Sequence, residues 1–189
     1  MKILVTGANG FMGRAICSRM LTDGWQVRGT VRSTENMMGP PAGVEVVRIQ
    51  TIGPDTDWSS ALNNIDTVVH LAARVHIMND TASDPLAAFR EVNVIGTERL
   101  ARMAAKASVR RFAYLSSIKV SGEQTLPPHP DPFPRGERGC FCEDDKPSPQ
   151  DAYAVSKLEA EQALRKIAAE TGLDVVIIRP PLVYGPGVK

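Results

Sequence analysis

Short apolar runs alternate with amphipathic stretches along most of the chain. The apolar runs are rich in β-branched residues and predict strands at residues 2–6, 26–31, 44–48, 67–71, 112–116 and 175–179. A helical period predicts helices at residues 11–23, 85–107 and 153–171. Strands of almost continuous apolar character are typical of a parallel sheet with helices on both faces. The pattern therefore predicts a three-layer α/β/α fold with a doubly wound parallel sheet of strand order 3-2-1-4-5-6.

One segment, residues 120–150, breaks this alternation. Seven prolines crowd there among charges and glycines, and no regular element fits. A loop of this length inside a compact domain is usually functional or disordered. Because it joins the fifth strand to the last helix, we predict a lid or substrate loop over the carboxyl edge of the sheet.

Composition narrows the classes of function. The chain has 189 residues, 43% of them hydrophobic, and this length favours one large domain. Its formal charge of +1 comes from interspersed acids and bases, unlike the basic surface of a nucleic-acid binder or a polybasic membrane anchor. No apolar run reaches the length of a membrane span, and a first strand beginning at Lys2 leaves no room for a signal peptide. We therefore expect a cytoplasmic protein.

Residue types that bind metals are few. The Cys-x-Cys pair at Cys140 and Cys142 has no second pair to complete a tetrahedral zinc site, and Cys17 is isolated. We therefore predict no metal site. The histidines are expected at packing or surface positions rather than in catalysis; they are His70, His76 and His129.

Three glycines, Gly7, Gly10 and Gly13, follow the first predicted strand and open the first helix. In this context the first glycine permits a tight turn, the second lets the backbone approach a pyrophosphate, and the third lets the helix pack on its strand. A glycine-rich turn without a ligand is the alternative. The strand and helix on either side favour a dinucleotide-binding domain.

About twenty residues further on, a carboxylate would be expected to bind the adenosine 2'-hydroxyl. The sequence has Thr30-Val31-Arg32-Ser33 instead. An arginine at this place favours a 2'-phosphate, so NADP is predicted over NAD. The alternative is that Arg32 is a solvated surface charge.

Tyr153 and Lys157 lie one helical turn apart near the start of the last predicted helix. The Lys157 ammonium can therefore lie near the phenol, favour its ionised form and bind a cofactor ribose. Ser116 and Ser117 close the fifth strand at the carboxyl edge, where open α/β sheets bind ligands. Ser117 is placed to hold a substrate carbonyl. The alternative for Tyr153 is a half-buried packing aromatic.

Several motifs together resemble the extended short-chain dehydrogenase/reductase superfamily, in its sugar-nucleotide epimerase/dehydratase branch. The similarity covers essentially the whole chain. The matching motifs are Thr6-Gly7-Ala8-Asn9-Gly10-Phe11-Met12-Gly13, His70-Leu71-Ala72-Ala73, Asn93-Val94-Ile95-Gly96-Thr97, Leu115-Ser116-Ser117, Tyr153-Ala154-Val155-Ser156-Lys157 and Arg179-Pro180-Pro181-Leu182-Val183-Tyr184-Gly185-Pro186-Gly187.

The resemblance implies roles for individual residues. Ser117, Tyr153 and Lys157 would form the catalytic triad, and Asn93 would support the active-site water and the helix geometry. Leu71, Ala72 and Ala73 would line the adenosine and ribose path, and Pro180 would lie by the nicotinamide. The glycine turn would contact the cofactor through Gly7, Asn9, Gly10, Phe11, Met12 and Gly13.

The resemblance narrows further to bacterial UDP-N-acetylglucosamine 4-epimerase or 4-ketosugar reductase homologues of polysaccharide synthesis. It implies a homodimer formed through the helices at residues 85–107 and 153–171. Two features depart from the family pattern. No aspartate follows the third strand, where the sequence has Ile49-Gln50-Thr51-Ile52, and no tyrosine precedes Gly122. We expect residues 1–189 to be the dinucleotide-binding domain, with the substrate lobe largely absent from this chain.

These features predict an NAD(P)-dependent oxidoreductase acting on a nucleotide-sugar substrate. Hydride would pass between the nicotinamide and a sugar carbon, in 4-keto reduction or in 4-epimerisation. One alternative substrate is a flavonol-, steroid- or aldehyde-like carbonyl. Another alternative is a non-catalytic NADP-sensing protein on the same fold, which the intact Ser117, Tyr153 and Lys157 set disfavours.

Overall fold

A computed structural model describes residues 1–32, 39–75, 84–123 and 145–185. Its sheet has six parallel strands in the order β3-β2-β1-β4-β5-β6, which confirms the predicted doubly wound fold. Every strand limit lies within one residue of the prediction. The strands are β1 (Lys2–Thr6), β2 (Gln26–Val31), β3 (Glu45–Arg48), β4 (Thr67–His70), β5 (Arg111–Leu115) and β6 (Asp174–Ile178).

Helices cover both faces of the sheet. They are α1 (Phe11–Thr22), α2 (Ser59–Leu62), α3 (Pro85–Arg90), α4 (Gly96–Lys106) and α5 (Ala152–Thr171). The single helix predicted at residues 85–107 consists of α3 and α4 joined by a π-helical turn, Glu91–Ile95. A short 3₁₀ turn, Ile118–Val120, follows β5. Sequence periodicity did not predict this turn or α2, because three or four residues are too few to show a period.

Capping residues fix the ends of the helices that frame the site. The Asp84 carboxylate accepts the Ala87 N–H at 3.0 Å and begins α3, with Pro85 in the first turn. The Asp151 carboxylate accepts the Ala154 N–H at 2.6 Å and begins α5. Such caps typically contribute about 1 kcal/mol each.

The core has two parts, one on each face of the sheet. The larger part lies under α4 and α5 and includes Trp58, Leu100, Phe112 and Leu164, all fully buried. The smaller part lies under α1. In β1, Leu4 contributes to the larger part, whereas Ile3 and Val5 contribute to the smaller one. Because both faces of the strand are buried, its sequence is continuously apolar.

The strand order reverses between β1 and β4, so the loops after these strands diverge and leave a crevice at the carboxyl edge. This is where α/β proteins of this topology bind ligands. In the parts of the chain that the structure describes, no helix has both the length and the apolar character needed to cross a membrane.

Candidate active site

The glycine turn between β1 and α1 forms one wall of the crevice. Gly7 has a φ of 69°, and the Gly10 N–H donates to the Gly7 carbonyl at 3.0 Å. A Cβ on Gly13 would lie 2.0 Å from that carbonyl oxygen, and a Cβ on Gly7 would lie 3.3 Å from the backbone of Ala72. The turn is therefore closely packed in the way the sequence predicted. Gly10 is the N-cap of α1 and provides no side-chain cap, so first-turn N–H groups are left for an anion.

A buried hydrogen-bond network fixes the segment after β4 beside this turn. The Thr6 Oγ1 accepts the N–H groups of Leu71 and Ala72, each at 3.1 Å, and lies 2.7 Å from His70 Nδ1. Because both lone pairs of the hydroxyl oxygen are used, its proton donates to Nδ1. The His70 Nε2–H therefore donates to Thr97 Oγ1 at 3.0 Å. Thr6 and Thr97 were not identified as contributors from the sequence.

His70 is a neutral packing residue, as its position suggested. Burial, and to a lesser degree the charge of Lys157, lower the pKa of its imidazole to about 3. His76 and His129 lie outside the described residues, as do Cys140, Cys142 and most of the predicted lid at 120–150. Burial raises the pKa of the Cys17 thiol to about 11, so this cysteine is an unreactive core residue.

Arg32 directly follows β2 and is exposed at the carboxyl edge of the sheet. The strand lies against the glycine turn, since the Ala8 N–H donates to the Thr30 carbonyl at 3.1 Å. Gly29 permits this approach, because a Cβ there would lie 2.5 Å from the Ala8 Cβ. Arg32 is thus accessible beside the crevice, which suits either a 2'-phosphate or a solvated charge.

The three predicted catalytic residues come together where β5 ends and α5 begins. Ser117 caps the 3₁₀ turn by accepting the Lys119 N–H at 3.3 Å, and a hydrogen bond joins the Ser117 and Tyr153 side chains. The Lys157 ammonium lies 5.8 Å from the centroid of the Tyr153 ring. Two hydroxyl groups and a cation therefore share one site.

Lys157 is almost completely buried beneath the tyrosine. Its Nζ donates to the Leu115 carbonyl at 2.8 Å and lies 4.7 Å from the centroid of the Tyr114 ring. Burial lowers the pKa of its ammonium to about 7, while the Glu161 carboxylate raises it. This lysine can therefore change charge near neutral pH.

The pKa of Tyr153 is raised, mainly by burial and then by the Asp151 carboxylate. The Lys119 ammonium and the hydrogen bond from Ser117 lower it, but by less. Desolvation outweighs the Lys119 charge and the Ser117 hydrogen bond, so the net change in the pKa of the phenol is upward, whereas a neighbouring cation alone would lower it. Lys119 lies two positions after Ser117 and pairs with Asp151 at 2.7 Å, which sequence reasoning did not identify.

Asn93 lies in the π-helical turn and bridges two walls of the site. Its Oδ1 accepts the Arg74 N–H at 2.8 Å, while its Nδ2 donates to the Arg74 carbonyl and to Ser156 Oγ, both at 3.0 Å. The Ser156 hydroxyl donates to the Tyr153 carbonyl at 2.7 Å. Both N–H groups of the amide are used within the protein, so a water could bind only at Oδ1. The predicted support of helix geometry is consistent with these contacts.

The chain after β6 closes the site from the other side. The Pro180 carbonyl accepts the Ile118 N–H at 3.0 Å, which holds Pro180 beside the segment that carries Ser117. Further along, a Cβ on Gly185 would lie 3.6 Å from Phe11 Cζ in the glycine turn. The segment after β6 therefore approaches both the Ser117 segment, at Pro180, and the start of α1, at Gly185.

Comparison with known sequences agrees with this geometry. Residues 3–189 match the family described as NAD dependent epimerase/dehydratase. The chain is 41% identical over 189 residues to a UDP-glucose 4-epimerase of Vibrio cholerae, across 99% of this chain and 53% of that protein. It is 32% identical over 200 residues to cinnamoyl-CoA reductase 1 of Petunia hybrida, across 97% of this chain and 55% of that protein. The chain thus spans about half the length of these curated relatives.

Solved structures show the same fold. The UDP-glucuronic acid 4-epimerase of Bacillus cereus in complex with NAD has a TM-score of 0.77 and 28% identity, covering 98% of this chain and 58% of that one. A short-chain dehydrogenase/reductase superfamily protein of Agrobacterium tumefaciens with bound NAD has a TM-score of 0.72 and 29% identity, covering 95% of this chain and 48% of that one. Because the family match extends over almost the whole chain, the protein belongs to the NAD-dependent epimerase/dehydratase family, and the predicted superfamily of extended short-chain dehydrogenase enzymes is confirmed.

Proposed function

We propose that the protein is an NAD(P)-dependent oxidoreductase that acts on a nucleotide sugar, by 4-keto reduction or 4-epimerisation. The observation that carries this proposal is that Ser117, Tyr153 and Lys157 lie together at the carboxyl edge of the sheet. The Vibrio cholerae relative, a UDP-glucose 4-epimerase, supports the sugar-nucleotide class.

The crevice fits a dinucleotide on its own geometry. Gly7 and Gly13 let the turn pack closely on Ala72 and on the start of α1, where N–H groups without a side-chain cap attract a pyrophosphate. The residues that would hold the cofactor include this turn, the segment Leu71, Ala72 and Ala73, and Lys157 with Pro180. When bound, NAD(P) supplies the hydride donor or acceptor at its nicotinamide.

The side chains of the site divide the proton chemistry among them. Because the pKa of Tyr153 is raised, its phenol is protonated near neutral pH and can give a proton to a sugar carbonyl oxygen as that carbonyl is reduced. Ser117 is hydrogen-bonded to the phenol and orients the same oxygen. Lys157 offsets the phenolate charge that remains.

Replacing Tyr153 with Phe tests this assignment. The ring and its packing on Phe89, at 6.1 Å between centroids, are kept, while the proton donor is lost. We expect turnover to fall about 100-fold or more, with cofactor affinity almost unchanged. Turnover with UDP-sugars and 4-keto sugar nucleotides would be followed by nicotinamide absorbance or product analysis. Full activity in Tyr153→Phe would remove the tyrosine from this role.

Arg32 favours NADP. This in turn favours net reduction, because NADPH that binds, gives up its hydride and exchanges as NADP⁺ is the usual hydride source for such a reaction. Calorimetry with NADPH and NADH on the wild type and on Arg32→Ser measures this directly. We expect NADPH to bind about tenfold more tightly in the wild type and to lose that advantage in the variant. Equal binding of the two cofactors would make Arg32 a surface charge and favour 4-epimerisation.

A second candidate function is reduction of a non-sugar carbonyl. The 32% identity to cinnamoyl-CoA reductase 1 favours it, because that relative's name specifies a different substrate class. Turnover of aromatic thioesters or steroid ketones, without turnover of sugar nucleotides, would decide for it. A protein that binds NADPH and oxidises none of these panels would instead fit a non-catalytic NADP sensor.

We also propose that residues 1–189 correspond to the dinucleotide-binding domain of longer enzymes, with the substrate lobe largely absent. The half-length coverage of the relatives supports this, as do exposed apolar side chains at Val176, Ile178, Leu182 and Tyr184. Calorimetry with a UDP-sugar on this chain is the test. Tight sugar-nucleotide binding by these residues alone would contradict the proposal.

A cytoplasmic homodimer completes the proposal. The helices expected at the interface lie side by side, linked by ion pairs from Arg90 to Glu159 and from Arg102 to Glu170 at 2.5 and 2.9 Å. Ile95, in the π-helical turn between α3 and α4, is an exposed apolar side chain. Light scattering after size exclusion should give twice the chain mass, and a monomer at high concentration would refute the dimer. Fractionation of the source cells tests the location.

A further inference from the structure

A buried carboxylate lies one helical turn beyond Lys157. Tyr153, Lys157 and Glu161 occupy positions i, i+4 and i+8 of α5 and therefore share one face. The Glu161 side chain has no exposed surface. A carboxylate is rarely buried in this way unless it is paired and hydrogen-bonded.

Glu161 is fully paired by groups from three segments. Its Oε1 accepts the Ser116 hydroxyl at 2.6 Å and Arg179 Nε at 2.9 Å. Its Oε2 accepts Arg179 Nη2 at 2.6 Å and Arg165 Nη2 at 3.3 Å. The bidentate hydrogen bond from Arg179 compensates for the burial of the carboxylate.

The same network reaches the segments that carry the site. Ser116 directly precedes Ser117, and Arg179 directly precedes Pro180. Arg179 Nη1 also donates to Ser121 Oγ at 3.2 Å, just after the 3₁₀ turn. Glu161 therefore connects α5 to the ends of β5 and β6 directly beneath the candidate catalytic residues.

Glu161 is the main electrostatic partner of the Lys157 ammonium. Four titratable groups face its ammonium: Tyr153 and Glu161 from α5, Tyr114 from β5 and His70 from β4. Burial raises the pKa of both tyrosines and lowers that of His70, so these three are neutral at pH 7. Glu161 is the carboxylate among the four, and it favours the charged form of Lys157.

We propose that Glu161, paired with Arg179, is a positioning residue that keeps Lys157 protonated beneath Tyr153 and fixes the Ser117 and Pro180 segments around it. The catalytic meaning of this role rests on the function proposed above. The charge on Lys157 is a property of the protein alone and can be measured without substrate or cofactor.

The test is an NMR titration of lysine ¹³Cε in the wild type and in Glu161→Gln/Arg179→Gln. The double substitution removes both charges, so neither is left buried without its partner. Lys157→Arg assigns the Lys157 resonance. We expect the titration midpoint of Lys157 to fall by about 1 pH unit in the double variant. In the pH profile of turnover, the midpoint of the basic limb should also move to lower pH.

A matched control exists on the same helix. Arg102 and Glu170 form a pair of the same residue types between α4 and α5, but about 40% of each side chain is exposed. Arg102→Gln/Glu170→Gln should leave the Lys157 midpoint unchanged. A folded Glu161→Gln/Arg179→Gln variant with the wild-type midpoint would overturn the proposal.

Ser116→Ala covers the case in which the double variant does not fold. It removes one donor from Glu161 and leaves both charges in place. We expect a smaller fall in the Lys157 midpoint and a reduced kcat with little change in KM, both restored by Ser116→Thr. A wild-type midpoint and kcat in Ser116→Ala would count against the proposal. If Tyr153→Phe were fully active, the proposed function would fail while the titration result still stood.

Discussion

Gly13→Ala is the substitution whose effect the structure defines most closely. An added Cβ would lie 2.0 Å from the Gly7 carbonyl oxygen and 2.9 Å from Ala8 Cα. Ordinary contacts of this kind are longer than 3 Å, so the backbone must move by about 1 Å, and overpacking of this kind typically costs about 1–3 kcal/mol. The atoms that must move form the candidate pyrophosphate cradle. We expect a lower thermal midpoint and a cofactor Kd raised about tenfold or more.

Two other glycines provide graded controls for this experiment. A Cβ on Gly10 would lie 3.2 Å from the same carbonyl oxygen, a contact that small shifts relieve. A Cβ on Gly39 would meet no atom of the described residues within 4 Å. Gly10→Ala should therefore be intermediate, and Gly39→Ala should lie within about 0.5 kcal/mol of the wild type. Calorimetry and thermal unfolding measure both effects. Wild-type stability and affinity in Gly13→Ala would refute the steric argument.

Three further substitutions test the interior. Arg28→Met removes the buried donors to the carbonyls of Ser60, Ala61 and Asn63. We expect urea denaturation to show that the free energy of unfolding falls by about 2–4 kcal/mol. A fall of less than about 1 kcal/mol would contradict the stabilising role of these hydrogen bonds. Tyr114→Phe removes a buried hydroxyl that has no hydrogen-bond partner among the described residues, and stability should stay equal or rise; a clear loss would reveal a partner. His70 has its pKa lowered to about 3, so the unfolded state binds more protons between about pH 6.5 and 3, and stability should fall with acidification in that range. In His70→Gln this fall should be smaller when unfolding is followed at several pH values, and an identical pH slope would show that folding does not lower the pKa of His70.

The central strands of the sheet were predictable from the sequence because β1 and β2 are buried almost throughout. A continuous apolar run with turn residues on either side fixes strand limits to within one residue, as β1 and β2 show. The π-helical turn was not predictable, since its residues, Glu91–Ile95, continue the helical pattern of their neighbours. Asn93, the buried residue of this turn, makes a tertiary hydrogen bond to Ser156, which a period cannot show.

The candidate site was predictable where a motif specifies it and not where packing does. Ser117, Tyr153 and Lys157 come from positions far apart in sequence, yet each lies in a recognisable motif. Glu161 looks like an ordinary surface residue of an amphipathic helix, and only the approach of Arg179 shows that it is buried. The sign of the Tyr153 pKa change also depends on burial, which the sequence does not specify.

The π-helical turn also changes the direction in which the side chains of α4 point relative to those of α3. One extra residue in a turn rotates everything that follows by about 100° relative to an uninterrupted α-helix. With this rotation, Phe89 lies against Tyr153 while Leu100 and Ala104 still face the core. Loss of a single residue here would turn one of these two faces toward solvent. The local length of this segment therefore couples the catalytic tyrosine to the packing of the whole domain.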